Sequence, residues 1–302
     1  MIKRLISLGS VIVDLLLEVP SLPDRGGDVL AIQRGMAPGG ALNVLSAAAR
    51  LGLHGLYAGP HGTGPFGDLV RAALAREEVG VGRPANPDLD TGWTLALVEP
   101  DGERTFVTVT GADALADAEA LRLIEYREGD AIYVSGYDLA YPGAAAAIAE
   151  HVAELGPGPF VVLDPGPLVA DIDAGRLAAV LHRTEMLSLN AREVAALGGV
   201  DAVLSRVQPA ATAIVRQGAE GATIYATGST PLTIPPTRVP AVDTSGGGDV
   251  HVGANLAGLA RGLSWPEAVL LANRAAAYAV SRPGPAAGPT ESQLEDFGAG
   301  RW

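Results

Sequence analysis

The chain has 302 residues, 48% of them hydrophobic, and a formal net charge of −13 at pH 7. This composition predicts a folded protein with a large core, and the acidic balance disfavours nucleic acid and anionic membranes as partners. The lack of cysteine excludes disulfides and thiolate nucleophiles, and the single lysine, Lys3, excludes Schiff-base chemistry and a lysine-bearing P-loop.

The N-terminus begins like a signal peptide, because Lys3 and Arg4 precede the apolar residues 5–13. Asp14 and Glu18 then interrupt the apolar run, and no small-residue cleavage site follows. We therefore expect a buried first strand and a cytoplasmic protein. No other segment is long enough to span a bilayer.

Apolar, β-branched runs alternate with alanine-rich helical stretches along most of the chain. The predicted strands are residues 4–10, 55–59, 131–135, 160–164, 186–189 and 213–216. The predicted helices are residues 41–51, 67–78, 143–155, 174–183, 191–197, 251–261 and 265–280. This alternation predicts an α/β fold with a mainly parallel sheet and helices on both faces. Such folds bind ligands beyond the carboxyl ends of their strands.

Two regions, residues 28–34 and 93–110, are predicted to be hairpin strands without an adjacent helix. The second turns at Pro100-Asp101-Gly102. Both suit a small sheet that projects from the main domain and covers its site as a lid. We therefore expect residues 1–302 to form one domain with the lid strands inserted at about 28–34 and 93–110. Exposed lid edges also allow two copies to pair as a homodimer.

Residues 243–249 read Asp-Thr-Ser-Gly-Gly-Gly-Asp and lead into a predicted helix. Glycines at this place let several N–H groups converge at the positive end of the helix dipole, which binds phosphate. A carboxylate at position 249 would repel a phosphate, so we expect Asp249 to be there for another reason, which is to take a proton from an attacking hydroxyl. The segment predicts a phosphoryl-transfer site; the alternative is a tight strand-to-helix turn without chemistry.

Five motifs, in order over residues 8–290, resemble those of the ribokinase-like (PfkB) carbohydrate kinases. They are Pro38-Gly39-Gly40-Ala41-Leu42-Asn43, Asn190-Ala191-Arg192-Glu193, residues 215–221, residues 243–249, and residues 272–277 with 282–284. The resemblance implies a Rossmann-type three-layer sandwich with a small β-sheet lid. It also implies transfer of the γ-phosphate of ATP to a primary hydroxyl of a small sugar.

The resemblance further implies a role for each matching residue. Asp249 would be the catalytic base, and the anion hole would be the amides of Gly246, Gly247 and Gly248. The sugar would be bound by Gly39, Gly40, Asn43 and Asp14, the last at the end of the first strand. ATP would contact Asn190, Arg216, Gly218, Gly221 and Asn273. Asn190 and Glu193 would organise Mg²⁺, and K⁺ or another monovalent cation would lie near Asp243, Ser245, Ala279 and Gly284.

Some of these positions allow other interpretations. Asn190 and Glu193 also match a helix capping box, and Arg216 is predicted equally well to reach a phosphate or solvent. Ile12 and Pro38 depart from the ribokinase pattern, which puts strict ribose specificity in doubt.

The acceptor is also left open by the aromatic residues. Tyr137, Trp93 or His251 would allow a nucleobase to stack, which makes a nucleoside kinase the alternative function. His251 follows the predicted base and has packing as its other interpretation. A sugar- or nucleotide-binding protein without catalysis is the third hypothesis.

Overall fold

The computed structural model describes residues 1–282 and 288–301. The strands are β1 (Arg4–Ser7), β2 (Val13–Glu18), β3 (Ile32–Pro38), β4 (His54–Tyr57), β5 (Gly80–Val81), β6 (Trp93–Val98), β7 (Arg104–Val109), β8 (Asp130–Ser135), β9 (Phe160–Asp164), β10 (Thr184–Asn190), β11 (Thr212–Arg216), β12 (Ala222–Ala226) and β13 (Leu232–Ile234). The helices are α1 (Ala41–Arg50), α2 (Pro65–Arg76), α3 (Ala118–Arg122), α4 (Gly136–Ala140), α5 (Ala145–Glu154), α6 (Ala174–Arg183), α7 (Ala191–Ala196), α8 (Val200–Leu204), α9 (Gly247–Ala260), α10 (Trp265–Val280) and α11 (Glu291–Gly298).

The described residues form two sheets, and the larger has nine strands in the order β13-β12-β11-β10-β9-β8-β1-β4-β5. The strands from β11 to β5 pair in parallel, while β12 runs antiparallel to β11 and β13 antiparallel to β12. The central strands are apolar on both faces, which is expected of a parallel sheet that is covered on both sides.

Helices cover both faces of this sheet. Neighbouring residues of one strand, such as Leu5 and Ile6 of β1, belong to different hydrophobic clusters because successive side chains point to opposite faces. Helices α1, α9 and α10 complete one cluster, and α5 and α6 complete the other. The predicted three-layer α/β architecture is therefore confirmed. Among the described residues, no helix has the length and apolar character to cross a membrane.

The smaller sheet has four strands in the order β3-β2-β6-β7, and we call it the lid. Strands β6 and β7 form the predicted hairpin. The other predicted lid strand lies later than expected, at Ile32–Pro38 instead of residues 28–34. Strand β2 was not predicted, and it pairs antiparallel with β3 and parallel with β6.

The first strand is shorter than the predicted residues 4–10, and this moves Asp14. Strand β1 ends at Ser7, and the Ser10 N–H donates to Asp138 Oδ1 at 2.9 Å instead of joining the sheet. Gly9 permits this departure, since a Cβ there would lie 1.8 Å from Asp138 Oδ2. The expectation that Asp14 lies at the end of the first strand is therefore wrong: Asp14 lies on lid strand β2.

Candidate active site

A cavity of about 930 Å³ lies under the lid, and we call it the acceptor cavity. Lid residues such as Asp14 and Arg104 line one side of it. The other side is formed at the carboxyl ends of the main strands, by residues such as Ser135 of β8 and Asp164 of β9. This is the edge at which α/β sheets bind ligands, and the volume is typical of small-molecule sites.

Two carboxylates and one amide, those of Asp14, Asp249 and Asn43, are among the polar groups that line the acceptor cavity. Asn43 Nδ2, on α1, donates to Asp249 Oδ2, on α9, at 2.9 Å. A Cβ on Gly39 would lie 2.4 Å from Asp14 Oδ2 and 3.8 Å from Asn43 Nδ2. Gly39 thus leaves the space that Asp14 occupies. Gly40 has φ 61°, and a Cβ there would lie 2.8 Å from the Ser10 carbonyl oxygen.

Both carboxylates hold their protons more tightly than exposed aspartates do. Burial raises the pKa of Asp249 to about 6, against the opposing hydrogen bond from Asn43. Burial also raises the pKa of Asp14 to about 6. Each group is therefore close to the pKa at which a carboxylate exchanges protons efficiently near neutral pH.

The glycine segment forms the N-terminus of α9. Gly246 is the N-cap with a left-handed φ of 67°, and Gly247 starts the helix. The N–H groups in the first turn of a helix have no intrahelical acceptors. The Gly247 N–H donates to the Thr244 carbonyl at 3.3 Å, whereas Gly246 and Gly248 line the acceptor cavity. This turn fits an anion-binding site.

A second cavity, of about 500 Å³, adjoins the first, and we call it the nucleotide cavity. Gly218 and Gly221 line it with φ values of 57° and 91°. A Cβ on Gly221 would lie 2.2 Å from the Ile234 carbonyl oxygen, so this loop requires glycine. Asn273 Nδ2 donates to the Pro235 carbonyl at 2.9 Å, and Asn273 Oδ1 lies 3.2 Å from His251 Nε2. Small or apolar side chains in the lining, such as Ala241, Ala276 and Val280, fit a planar base.

Arg216 lies where the two cavities meet and lines both. Its Nη1 lies 2.9 Å from Asp164 Oδ2, and its Nη2 lies 3.6 Å from Glu193 Oε2. A Cβ on Gly248 would lie 2.5 Å from Nη1, so the guanidinium rests against the glycine turn. Burial opposes the charge, but the carboxylates of Asp164, Glu193 and Asp249 outweigh it and raise the pKa of Arg216.

Asn190 and Glu193 form the capping box of α7. The Asn190 N–H donates to Glu193 Oε2 at 2.7 Å, and Asn190 Oδ1 accepts the Glu193 N–H at 3.0 Å. Burial and the nearby charge of Asp164 raise the pKa of Glu193. A divalent cation prefers carboxylate oxygens and would relieve this repulsion, so Asp164 and Glu193 fit a Mg²⁺ site.

The loop that precedes the glycine turn is tied to the end of α10. The N–H groups of Val242 and Asp243 both donate to the Val280 carbonyl, at 2.8 and 3.2 Å. The structure therefore places the Asp243 backbone beside Val280, the residue after Ala279. The monovalent-cation site at Asp243, Ser245 and Ala279 stays a prediction. Gly284, the fourth residue of that prediction, lies outside the described residues.

The structure brings most predicted site residues to the two cavities but separates the three aromatic candidates. Tyr137 lines the acceptor cavity. His251 is buried and lines the nucleotide cavity, so it does not face the acceptor. Trp93 packs on Phe66 with ring centroids 6.2 Å apart. Of the three, only Tyr137 lines the cavity in which an acceptor base would bind.

Sequence reasoning missed several charged residues of the acceptor cavity, among them Asp164 and Arg104. Asp164 is the last residue of a correctly predicted strand, which is a position that often carries function in an α/β sheet. That signal was available in the sequence. Arg104 follows the predicted hairpin turn, and nothing in the sequence relates it to Asp243, its partner in the structure.

Gly39→Ala tests the packing of Asp14. The new methyl group must displace the Asp14 carboxylate. For the kinase reaction that the sequence predicts, we therefore expect the acceptor KM to rise about tenfold while the ATP KM stays unchanged. Steady-state kinetics with each substrate varied in turn measures both values. Gly156→Ala is the matched control, because nothing lies within 4 Å of its Cβ. An unchanged acceptor KM in Gly39→Ala would show that Asp14 does not bind the acceptor.

Comparison with known proteins identifies the family. A model of the pfkB family carbohydrate kinases matches residues 2–292. The chain is 36% identical over 301 residues to the uncharacterized sugar kinase YegV of Escherichia coli (strain K12), which covers 95% of this chain and 91% of that protein. It is 31% identical over 304 residues to the ATP-dependent ribose-1-phosphate kinase of Halopiger xanaduensis, with 97% of each chain covered.

The fold agrees with solved structures of the same kind. The crystal structure of fructokinase from Vibrio cholerae O395, in its fructose-, ADP- and calcium-bound form, matches with a TM-score of 0.80 at 24% identity over 98% of this chain and 99% of that chain. Because the family model and the sequence relatives both span nearly the whole chain, the protein belongs to the PfkB family of carbohydrate kinases, ATP-binding phosphotransferases with an alcohol acceptor.

Proposed function

We propose that this kinase transfers the γ-phosphate of ATP to a primary hydroxyl of a small sugar, with Asp249 as the general base. The observation that carries the proposal is the position of Asp249. Its carboxylate is partly buried in the acceptor cavity, accepts a hydrogen bond from Asn43, and belongs to the first turn of the helix that begins with the glycine turn. A base and an anion site on adjacent residues suit an in-line phosphoryl transfer.

The acceptor half of the site would align the sugar. Asp14 and Asn43 would accept from and donate to its hydroxyl groups, which holds the reacting oxygen near Asp249. Asp249 would take the proton of that hydroxyl as the oxygen attacks the γ-phosphorus, while the bond from that phosphorus to the β-phosphate oxygen breaks and ADP leaves. The amides of Gly246, Gly247 and Gly248 would stabilise the charge on the transferring group. Of the three, Gly247 has its amide partly engaged by Thr244.

The nucleotide half would hold ATP, with the base in the nucleotide cavity and the phosphates pointing towards Gly248. Gly218, Gly221 and Asn273 would contact the nucleotide, and Arg216 would reach its phosphates. Asn190, Glu193 and Asp164 would hold Mg²⁺, which neutralises phosphate charge when bound. The ADP and calcium ion in the fructokinase structure support a nucleotide with a divalent ion here. K⁺ near Asp243, Ser245, Ala279 and Gly284 belongs to the same proposal.

One observation favours a nucleoside as the second candidate acceptor. Tyr137 and Phe106 line the acceptor cavity and remain 41% and 59% exposed. Exposed aromatic faces in a cavity suit a planar base. A binding protein without catalysis needs no buried carboxylate beside an anion site, so the position of Asp249 argues against that third hypothesis.

The experiment is an ATP-turnover assay with Mg²⁺, with and without K⁺, on a panel of acceptors. The panel contains ribose, fructose, ribose-1-phosphate, adenosine and inosine, and product phosphorylation is followed by mass spectrometry. Turnover of a free sugar with the best kcat/KM supports the proposal, and a nucleoside as the best acceptor supports the second candidate. Binding of ATP and acceptor without any phosphorylated product would overturn both.

We also propose that the lid mediates a homodimer. Its edge strands β3 and β7 expose Ile32 (55%), Val107 (52%) and Val109 (43%). An apolar edge strand of this kind tends to pair with another chain. We expect light scattering after size exclusion to give twice the chain mass and Val107→Lys to give the monomer. A monomer from the unmodified protein at micromolar concentration would contradict the dimer.

A further inference from the structure

One ion pair connects the lid with the loop that leads into the glycine turn. Arg104 Nη2, on lid strand β7, lies 2.7 Å from Asp243 Oδ1 and donates a hydrogen bond to it. The two side chains are 25% and 11% exposed, so water screens the pair only partly. Among the ion pairs between described residues, it is the one that joins the lid strands to the rest of the chain.

The same carboxylate oxygen also organises the glycine turn. Asp243 Oδ1 accepts the Ser245 N–H at 2.9 Å, and Ser245 directly precedes the N-cap Gly246. The Asp243 N–H donates to the Val280 carbonyl, which fixes the loop to α10. One atom therefore receives hydrogen bonds from the lid and from the turn.

We propose that Arg104 is a positioning residue that couples closure of the lid to the geometry of the anion site. When the lid is closed, Arg104 pairs with Asp243 and fixes the position of its carboxylate. That carboxylate accepts the Ser245 N–H and so positions the turn at Gly246. When the lid opens, the ion pair breaks, and the oxygen that accepts the Ser245 N–H loses its contact with the lid. A kinase gains from this coupling because the phosphate is activated only when the acceptor is enclosed and water is excluded.

The first test measures lid position without any substrate, so it is independent of the proposed acceptor and base. Since the chain has no cysteine, Glu103→Cys on the lid hairpin and Ser229→Cys on the main sheet give one labelled pair. Spin-label distances should show one short population in this background. Arg104→Gln should add a population with a longer distance between the labels, because the ratio of open to closed lids rises on the order of tenfold. Arg104→Lys should restore the single population with the short distance. Identical distance distributions in all three proteins would overturn the proposal that Arg104 holds the lid closed.

The second test separates coupling from direct binding of the acceptor, and it rests on the proposed function. Arg104 Nε has no hydrogen-bond partner among the described residues, so the side chain has a donor with which it could contact the acceptor instead. Arg104→Gln, Asp243→Asn and the double variant are assayed at saturating K⁺. We expect each single change to raise the acceptor KM and lower kcat. The double variant should be no more impaired than the more impaired of the two single variants. Effects that multiply would overturn the coupling.

Failure of the two tests has different meanings. If no acceptor is phosphorylated by the unmodified protein, the proposed function fails, while the spin-label distances still decide whether Arg104 holds the lid closed. If turnover is normal and Arg104→Gln affects the acceptor KM alone, with Asp243→Asn silent, Arg104 binds the acceptor and the proposed coupling is wrong.

Discussion

Asp249→Asn should lower kcat by about 10²–10⁴-fold, the usual contribution of a general base, while the protein folds normally. The substitution keeps the shape of the side chain and an oxygen that accepts from Asn43, but it removes the group that takes the proton. A coupled ADP-release assay with the best acceptor measures the loss. Asp28→Asn, in an exposed loop of the lid region, is the matched control and should leave kcat unchanged.

The pH profile gives the same assignment a second test. Asp249 must be ionised to act as a base, and its pKa is raised to about 6 by burial. We therefore expect kcat/KM to be constant above about pH 7 and to fall as the pH drops through 6. Asp14, with a pKa also raised to about 6, steepens the fall if ionised Asp14 binds the acceptor. In Asp249→Asn, the contribution of Asp249 to this fall should disappear.

Although Asp249→Asn should lose activity, it should be more stable than the unmodified protein at alkaline pH. A carboxyl whose pKa is higher in the folded than in the unfolded state destabilises the fold once it is ionised. The penalty of Asp249 grows as the pH rises from 3.8 to about 6 and persists above that. We expect the variant to melt at a higher temperature than the unmodified protein at pH 8, with little difference at pH 4.

For the catalytic role, a kcat of Asp249→Asn within a few-fold of the unmodified enzyme would contradict the assignment of Asp249 as the base.

Arg216→Gln should affect both stability and turnover. The change removes the buried cation that pairs with Asp164 and Glu193. Breaking a buried ion pair by removing one partner costs about 3–5 kcal/mol of unfolding free energy. Loss of a phosphate-stabilising charge should also lower kcat on the order of 100-fold. Chemical denaturation and steady-state kinetics measure the two effects separately.

The pH dependence distinguishes this cause from a simple packing defect. Without Arg216 the unpaired carboxylates repel each other when ionised, so the destabilisation should be large at pH 8 and smaller at pH 5. Arg216→Lys keeps the charge and should recover part of the stability, whereas exposed Arg192→Gln should change neither property. Equal destabilisation at both pH values would contradict the electrostatic role of Arg216.

Much of the main sheet follows from periodicity alone. Phe160–Asp164, Ala174–Arg183 and Trp265–Val280 have the predicted bounds, because buried strands and amphipathic helices leave a strong local pattern. The lid was harder to predict. Strand β2 continues the apolar run of β1 after a break at Gly9 and Ser10, and only the distant Asp138 explains why the chain leaves the main sheet there.

The site divides in the same way. The glycine turn, the Asn190–Glu193 capping box and the Gly218–Gly221 loop are local motifs, and the sequence predicts where they lie. Contacts between distant residues were not predictable: Asn43 with Asp249, Arg216 with Asp164, and Arg104 with Asp243. These pairs depend on how the layers and the lid pack. That residues 1–302 form a single domain stays a prediction.

The hydrogen bond from Asn43 to Asp249 depends on how closely α1 and α9 cross. Gly253, one turn after Asp249, makes this crossing possible, since a Cβ there would lie 2.4 Å from the Val44 carbonyl oxygen and 2.9 Å from Ala47 Cβ. Any side chain at position 253 would push apart the two helices that hold the donor and the acceptor. Position 253 lies inside the core and does not contact the substrate. We nevertheless expect it to tolerate substitution as poorly as the reacting carboxylate of Asp249 does.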